Sequence, residues 1–380
     1  KGLGRSIMLE YPHIFYNLDK KEGPDTLLFS GSSFLPESSF FHIDKKVDAI
    51  LERPESEKKA INKSSFEYID TEIAVSGTTG EQRKNNLRKV VNKLLSTKTS
   101  INGISHLESI FNKIKDEKRK KVLLVVGSYE EVDVVCKELE KNLAGLDKNI
   151  SAMVRDSDNK DYSYQKIHRS EINKFNELGA DILVAPLMAI NRGYNILNEN
   201  MDSALGAAIF LIRNMTVPTD IINQISYLHH WSLKTIPTLK NKKDNDWGGY
   251  FNREFRHKTM VIWKKYVSEL YNFVGLDSLD RKILFTNYAN ILQLMSQLIG
   301  RLKRGNSEAI IALADVKYAP KTSNNEFDTG RTSMLIGFYK LLDQYINSND
   351  PYTREIANTL YSSIYFPLKK LITEELNYRG

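Results

Sequence analysis

The chain has 380 residues, with 54 Lys and Arg against 47 Asp and Glu, so its formal net charge is +7 and its isoelectric point is near 9.0. Its 41% hydrophobic and 27% charged residues exclude a disordered, collagen-like or disulfide-rich chain. The length exceeds that of a usual single domain and predicts two domains, or one domain with large insertions. The net positive charge permits nucleic-acid binding without requiring it.

The cysteine count and the hydropathy pattern bear on the compartment. Cys136 is the single cysteine and cannot form an internal disulfide, which favours a reducing compartment. No apolar run approaches the ~20 residues of a membrane span. We therefore expect a cytoplasmic protein with no membrane partner. The chain begins at Lys1 with neither an initiator methionine nor an apolar signal segment, so we expect it to be a fragment.

The first part of the chain predicts two strands and one helix. Residues 25–30 are predicted as a short buried strand, and the polar stretch 44–65 as a linker. A second strand is predicted over 68–75. A helix is predicted over 81–96, because apolar residues recur there at helical spacing. These residues are Leu87, Val90, Val91, Leu94 and Leu95.

From residue 121, short apolar strands alternate with helices, which is typical of a parallel sheet covered on both faces. Strands are predicted over 121–128, 150–154, 181–185, 207–212 and 308–313, and helices over 129–143 and 169–178. The charged run 115–121 is predicted to be a solvated helix end. A mostly helical interruption separates Arg213 from Gln297, and the tail predicts two helices, the second beginning at Pro351.

The segment with the most specific chemistry is Gln297-Leu-Ile-Gly300-Arg301-Leu-Lys-Arg304. On a helix, offsets of 3, 4 and 7 place its four named residues on one face. Gly300 lets a partner surface come close, and two guanidiniums one turn apart can hold a triphosphate. An arginine inserted from a second domain can stabilise charge that develops on a γ-phosphate. The alternative is a basic, solvated helix face ahead of a buried strand.

This segment resembles motif VI of superfamily 2 helicases, and three other segments resemble further motifs in the family's order. Residues 181–196, with Arg192-Gly193 after the strand, resemble motif V. Residues 121–128 resemble motif IV, and residues 27–36 resemble motif III in the form found in DinG/XPD-like helicases. The resemblance covers about residues 25–315, and each match lies at a strand end, where open α/β sheets bind ligands.

The resemblance implies a RecA-like lobe of the P-loop NTPase type, with a helical insertion and a C-terminal helical tail. It implies that residues 1–65 end a first lobe and form a linker, that 66–320 form the second lobe with an insertion at about 214–290, and that 321–380 form the tail. The implied function is that of the C-terminal motor lobe of an ATP-dependent helicase or translocase.

The resemblance also assigns roles to residues. Arg304 and Arg301 would be catalytic, with Arg304 as the arginine finger. The nucleotide-binding set would be Gln297, Gly300, Arg301, Arg304, Asn195 and Gly193. Ser30, Gly31 and Ser32 would couple the lobes, and the nucleic-acid track would include Ser128, Ala185, Pro186 and Arg192.

The implied cofactors are ATP and Mg²⁺, with the Mg²⁺ ligands in an N-terminal lobe that this chain lacks. The implied partners are that lobe, single-stranded or duplex DNA rather than RNA, and proteins that dock on the C-terminal helices. By analogy alone, the form of motif III suggests a bacterial helicase linked to defence or mobile elements.

Three departures from the family pattern limit these expectations. Pro186 stands where motif V usually has Thr, and proline offers neither an N–H nor a hydroxyl to a phosphate. Asn195 replaces the usual acidic residue and can hydrogen-bond without charge. The sequence has no G-x-x-x-x-G-K-[ST] loop, and Ser76-Gly-Thr-Thr-Gly80 is interpreted as a turn with a helix cap. We therefore expect this chain alone to be inactive as an ATPase.

The helical interruption interleaves aromatic and cationic residues between Trp231 and Tyr266. Lys242, Lys243 and Trp247 would suit a single strand, since rings stack on bases and cations follow phosphates. In the alternative, the rings pack inside a helical subdomain and the lysines are solvated. No metal site is expected, since His229-His230 are adjacent and no Cys or carboxylate cluster completes a ligand set.

Two other functions stay open at this point. One is a non-catalytic nucleic-acid-binding or scaffold module that keeps a RecA-like lobe. The other is a different doubly wound enzyme, such as a nucleotide-sugar transferase, in which Arg301 and Arg304 bind a diphosphate.

Overall fold

The structure is a computed structural model that describes residues 2–16, 18, 22–97, 103–142, 148–191, 193–215, 219–240, 247–272 and 275–378. The chain divides into two compact units, each formed from two stretches of sequence. The sheet unit comprises residues 49–214 and 291–380, and the helical unit comprises residues 1–48 and 215–290.

The helices and strands follow one another along the chain in a fixed order. They are α1 (Gly2–Ile14), α2 (Glu55–Ile61), β1 (Ser65–Tyr68), α3 (Gly80–Leu95), α4 (His106–Lys113), β2 (Val122–Val126), α5 (Tyr129–Asn142), β3 (Ile150–Val154), β4 (Gln165–His168), β5 (Ile182–Pro186), α6 (Leu187–Ile190), β6 (Ala207–Phe210), α7 (Ile221–Lys240), α8 (Trp247–Tyr271), α9 (Arg281–Leu302), β7 (Ile310–Leu313), α10 (Pro320–Ser323), α11 (Met334–Ile346) and α12 (Pro351–Glu375).

The seven described strands form one sheet in the order β1-β7-β6-β2-β5-β3-β4, and every pair is parallel. The predicted α/β architecture of RecA-like type, with a helical C-terminal region, is confirmed. Every residue of β2, β3, β5 and β6 is buried, because helices cover both faces of a parallel sheet. The carboxyl ends of all strands therefore lie at one edge, called the carboxyl edge below.

The helices that cover the sheet bury the stripes that the sequence predicts. In α3, four of the five apolar residues are buried, and Leu95 packs at the margin of the core. In α5 the apolar stripe includes Cys136, which is fully buried. Each such side chain contributes roughly 1.5–3 kcal/mol when it leaves water. A core cluster of the sheet unit lies between α3, α4 and α5 and one face of β2, β3, β5, β6 and β7.

The two predicted tail helices are confirmed as α11 and α12, and each is capped by a side chain. The Ser333 hydroxyl accepts from the N–H of Ile336, and the Asp350 carboxylate accepts from the N–H of Thr353. Pro351 occupies the first turn of α12, where its missing N–H costs nothing. These caps explain why both helices begin where the sequence places them.

A second proline, Pro367, lies inside α12 and leaves one helical carbonyl without a donor. An α-helical N–H bonds the carbonyl four residues earlier, so Pro367 cannot serve the carbonyl of Ser363. Nζ of Lys303 donates to that oxygen at 2.6 Å. Lys303 is buried, and the tail is joined to the residues after α9 through this bond.

Two pairs of aromatic rings of the interruption stack between α7 and α8. Tyr227 of α7 stacks on Tyr266 of α8 with ring centroids 4.1 Å apart, and Trp231 stacks on Phe255 at 5.8 Å. These contacts favour the packing alternative for those rings. No described helix is both long and apolar enough to cross a lipid bilayer.

The structure corrects three element predictions. The predicted strand 25–30 is irregular, with Leu27 and Phe29 each about four-fifths exposed, so no buried strand forms there. The predicted strand 68–75 is wrong beyond its first residue, because β1 ends at Tyr68 and Glu72 takes a left-handed φ of 58° that breaks an extended run. The predicted helix 169–178 is a 3₁₀ helix.

Candidate functional site

Arg301 joins the end of α9 to the loop that follows α6. Its Nε donates to the carbonyl of Asn191 at 3.2 Å, and its Nη1 donates to the carbonyl of Tyr194 and to Oδ1 of Asn195, the latter at 3.2 Å. Burial lowers the pKa of Arg301, and the neighbouring charge of Arg304 lowers it further. The segments that resemble motifs V and VI therefore meet through one guanidinium. Its Nη2 makes no hydrogen bond to a described residue.

The four residues of the motif VI segment do not all share one helix face. Gln297, Gly300 and Arg301 lie on α9, but the helix ends at Leu302, and Arg304 lies in the turn that follows. The Arg304 side chain is exposed and has no hydrogen-bond partner in the described part of the chain. A Cβ on Gly300 would meet nothing within 4 Å, so its surface is open to an approaching group. The prediction of a single face is corrected for Arg304 alone.

The turn after α9, residues 303–306, is called the α9 turn below, and it is anchored by Arg119. The Arg119 side chain is buried, and burial lowers its pKa. Its guanidinium donates to four backbone carbonyls, those of Leu302 (2.7 Å), Glu308 (2.7 Å), Ser203 (2.9 Å) and Leu205 (3.1 Å). The prediction that the run 115–121 is simply a solvated helix end is therefore wrong for Arg119, since this residue holds the last carbonyl of α9.

Gly305 fixes the α9 turn against the loop that leads to β6. Its φ is +79°, and a Cβ at this position would clash with Oδ1 of Asp202. The carbonyl of Arg304 also accepts from the N–H of Ser203 at 3.1 Å. The backbone of the turn is thus constrained while the Arg304 side chain stays exposed.

The motif V segment presents a different surface from the one expected. Ala185 and Pro186 are buried at the end of β5, a central strand covered on both faces, so their side chains are closed to a nucleic-acid strand. Met188 is among the exposed side chains of this segment, at 64%. Gly193 is exposed with a φ of +86°, and Asn195 is exposed beside Arg301.

Ser128 acts as a helix cap at the carboxyl edge. Its hydroxyl accepts from the N–H of Glu131 at 3.2 Å, and the Glu131 carboxylate accepts from the N–H of Gly127 at 2.7 Å. Nε of Arg83 donates to the same carboxylate at 2.6 Å. This arrangement resembles a capping box, so the Ser128 oxygen is already engaged, although its proton is free to reach an acceptor.

Two arginines stacked on tyrosines occupy the carboxyl edge, and no motif of the sequence indicates them. Cζ of Arg155, after β3, lies 5.0 Å from the ring centroid of Tyr129, and Cζ of Arg169, after β4, lies 5.8 Å from that of Tyr194. Burial raises the pKa of Tyr129, and Arg169 and Arg155 both act against it, so the charges are close together. Nε of Arg169 is buried without a hydrogen-bond partner among the described residues. These four residues are called the carboxyl-edge cluster.

Some predicted site residues cannot be placed against the others. Arg192, Lys242 and Lys243 lie outside the described residues, and so does the side chain of Trp247, which begins α8. The segment Ser30-Gly31-Ser32 lies in the helical unit, where the Ser30 hydroxyl accepts from the N–H of Ser32 at 3.2 Å. Their predicted roles stay predictions.

Among the described residues, no group of three His, Cys, Asp or Glu side chains is arranged to hold a metal ion. Comparisons of the chain with protein-family models, with curated proteins and with solved structures found no match. The function is therefore inferred from the geometry of the α9 turn and the carboxyl edge.

Proposed function

We propose that the sheet unit is the C-terminal motor lobe of an ATP-dependent nucleic-acid helicase or translocase. The observation that carries this proposal is the bond set of Arg301, which ties the motif VI helix to the motif V loop at Asn191 and Tyr194. A motor of this class must couple nucleotide contacts to strand contacts, and a shared guanidinium is a direct physical link between two such segments.

On the nucleotide side, Arg304 is the group suited to a γ-phosphate. It is exposed, it extends from a constrained turn, and no described side chain neutralises it. Arg301 would contribute its remaining Nη2, and Gln297 and Gly300 would face the same nucleotide. ATP would lie between this unit and a separate lobe that supplies the phosphate loop and the Mg²⁺ ligands, since this sequence contains no such loop and its described residues form no metal site.

On the nucleic-acid side, the carboxyl-edge cluster is suited to a single strand. Guanidiniums contact phosphates bidentately, and tyrosine rings stack on bases of any sequence. Arg155 is exposed and already oriented by Tyr129. The Ser128 hydroxyl and the Gly193 backbone are next to this cluster in the sequence, since Ser128 precedes Tyr129 and Gly193 precedes Tyr194.

The strand half of the proposal is tested by fluorescence anisotropy with labelled single-stranded DNA and RNA oligonucleotides. We expect binding that weakens with salt, and a loss of about tenfold in Arg155→Ala and Arg169→Ala, since each removes about one phosphate or stacking contact. Arg354→Ala is the matched control, because Arg354 is exposed and its Nη1 donates to the carbonyl of Ser348 in the tail. Equal binding by all four proteins would reject the carboxyl-edge assignment.

The motor half is tested by ATP turnover in a protein that joins this chain to a lobe with a phosphate loop. This chain alone should not hydrolyse ATP. In the joined protein, Arg304→Ala should lower strand-stimulated turnover by about a thousandfold while strand binding stays near the parent value. Unchanged turnover in that variant would remove the arginine-finger role.

A second candidate is a non-catalytic nucleic-acid-binding module. Arg301 already donates hydrogen bonds to two backbone carbonyls. Of the two arginines in the motif VI segment, Arg304 is therefore the one that is fully available to a phosphate, and this favours the second candidate. Strand binding without turnover in the joined protein would support this module over the motor.

A further inference from the structure

Positive charge is concentrated on the two long helices of the helical unit, α7 and α8. Together they carry seven Lys and Arg residues against two Glu, a net charge of +5, whereas the whole chain has +7. The sequence of α7 contains no Asp or Glu, and that of α8 contains Glu254 and Glu269. The connecting residues 241–246, with two lysines and two aspartates, lie outside the described residues. A charge this local produces a positive field around the helix pair.

Five exposed residues of α8 lie on one face of the helix, at offsets of 3, 4, 7 and 11 from the first. They are called the α8 cationic face and comprise Arg253, Arg256, His257, Met260 and Lys264. At about 1.5 Å per residue, the face extends over roughly 16 Å of the helix. Arg256 and Lys264 make no hydrogen bond or ion pair with a described residue, so their charges are open to a partner.

The α8 cationic face is directed away from α7, the helix on which α8 packs. Phe255 and Tyr266, whose rings stack on α7, lie about 200° and 220° around α8 from Arg253, at 3.6 residues per turn. Met260, in the middle of the face, is 49% exposed. The rings of α8 therefore occupy its packed side, and its cations occupy the open side.

The carboxylates of α8 are engaged on its flank. Glu254 pairs with Lys258 at 3.0 Å, and Glu269 accepts from the N–H of Asp280 at 2.5 Å. The carboxylate of Asp280 pairs with Lys265 at 2.6 Å. The α8 members of these contacts lie about 100–160° around the helix from Arg253, so neither Glu lies on the cationic face.

We propose that the α8 cationic face binds the major groove of duplex DNA, with Arg253, Arg256 and Lys264 on the phosphates. A helix about 10–12 Å across fits the major groove of B-DNA, which is about 12 Å wide, whereas the major groove of duplex RNA is deep and narrow. Met260 would face the groove floor, where thymine methyl groups offer apolar contacts. The inference rests on the proposed function only for the class of partner, a nucleic acid, and adds a second surface to it.

The chemistry of the face favours a duplex over the other polyanions. Single strands are held by rings on which bases stack, but Tyr227 and Tyr266 stack on each other, as do Trp231 and Phe255. A lipid surface takes up a helix with a continuous apolar side, and Met260 is the one large apolar residue of this face. Cations without such rings match the phosphates of a duplex, whose bases are stacked inside.

The test is fluorescence anisotropy of this chain with a labelled, mixed-sequence DNA duplex of about two helical turns, over a range of salt concentrations. In the double variant Arg256→Gln/Lys264→Gln, we expect binding about tenfold weaker and a log–log salt slope smaller in magnitude by about two, since two phosphate contacts are lost. The matched control is Lys258→Gln/Lys265→Gln, which removes the same charge from the flank of the same helix and should bind duplex as the parent does.

Glutamine keeps the helix propensity of the residues it replaces, so the urea midpoint of the double variant should equal that of the parent. If it does not, Lys264→Gln alone, with a slope change of about one, replaces it. Equal weakening in the flank control, or of single-strand binding, would overturn the proposal. Weaker binding to phosphatidylserine vesicles or duplex RNA, with duplex DNA binding unchanged, would also overturn it. A parent that binds no duplex DNA would overturn this inference alone, because single-strand binding by Arg155→Ala judges the proposed function.

Discussion

The buried and exposed sides of the α9 turn use cationic side chains in opposite ways. On the buried side, Arg119 satisfies four carbonyls and Lys303 satisfies a fifth that Pro367 leaves open. On the exposed side, Arg304 has no described partner, and Arg53 touches only the edge of the turn. Cations of the first kind should determine stability and cations of the second kind should determine ligand binding.

The largest effect is expected for Arg119→Ala. The substitution would leave four carbonyls in or near the core without a donor, and each unpaired buried group costs about 1–3 kcal/mol before relaxation. We expect a loss of about 4 kcal/mol in the free energy of unfolding, measured by urea denaturation that is followed through a spectroscopic signal of the sheet unit. A loss below about 0.5 kcal/mol, the size expected of a surface substitution, would show that water replaces the guanidinium without cost.

The next effect is a rise of stability with pH that depends on Lys303. Its pKa is about 7 in the folded chain, below the usual lysine value of 10.5, so between these values the unfolded chain binds more protons. The free energy of unfolding should therefore rise in this window by at most about 1.4 kcal/mol per pH unit. Below about pH 7, Lys303 should contribute no pH dependence, because it is protonated in both the folded and the unfolded chain. Urea unfolding from about pH 7 to 9 measures it, before tyrosines titrate. The slope should fall in Lys303→Met.

A smaller effect tests whether Lys303 serves the carbonyl that Pro367 leaves open. Lys303→Met should cost more in the parent chain than in a Pro367→Ala background, because an alanine at position 367 restores the helical N–H to the Ser363 carbonyl. We expect a coupling of about 1 kcal/mol in a double-mutant cycle of unfolding free energies. Additive effects would mean that the Lys303–Ser363 bond has no energetic link to the proline.

Burial also explains which strands of the fold can be predicted from the sequence alone. Strands such as β2 are predictable because five consecutive apolar residues, bounded by Lys121 and Gly127, are buried on both faces. The strand β4 was missed because Gln165 and Lys166 give an edge strand no apolar run. Residues 25–30 were assigned to a strand wrongly, since local hydrophobicity does not say whether a neighbouring strand exists.

The candidate site likewise contains some residues that the sequence predicts and others that it does not. Gln297, Gly300 and Arg301 could be placed on one helix from their spacing, but the end of the helix at Leu302 could not. Arg119 was missed because its acceptors are backbone carbonyls, which no side-chain pattern encodes. The carboxyl-edge cluster needs the strand order, because Arg155 and Arg169 follow different strands and meet only in the folded sheet.

The smallest stability effects, and the sharpest contrast, are expected for the two motif VI arginines. Arg301→Ala removes bonds to the carbonyls of Asn191 and Tyr194 and should lower the unfolding free energy by about 1 kcal/mol. Arg304→Ala removes no described bond and should change it by less than about 0.5 kcal/mol. Amide hydrogen exchange should separate them further, with faster exchange at residues 193–196 in Arg301→Ala alone. If Arg304→Ala destabilised the chain as much as Arg301→Ala, Arg304 would belong with the buried anchors of the turn, and its assignment to a phosphate would lose its physical basis.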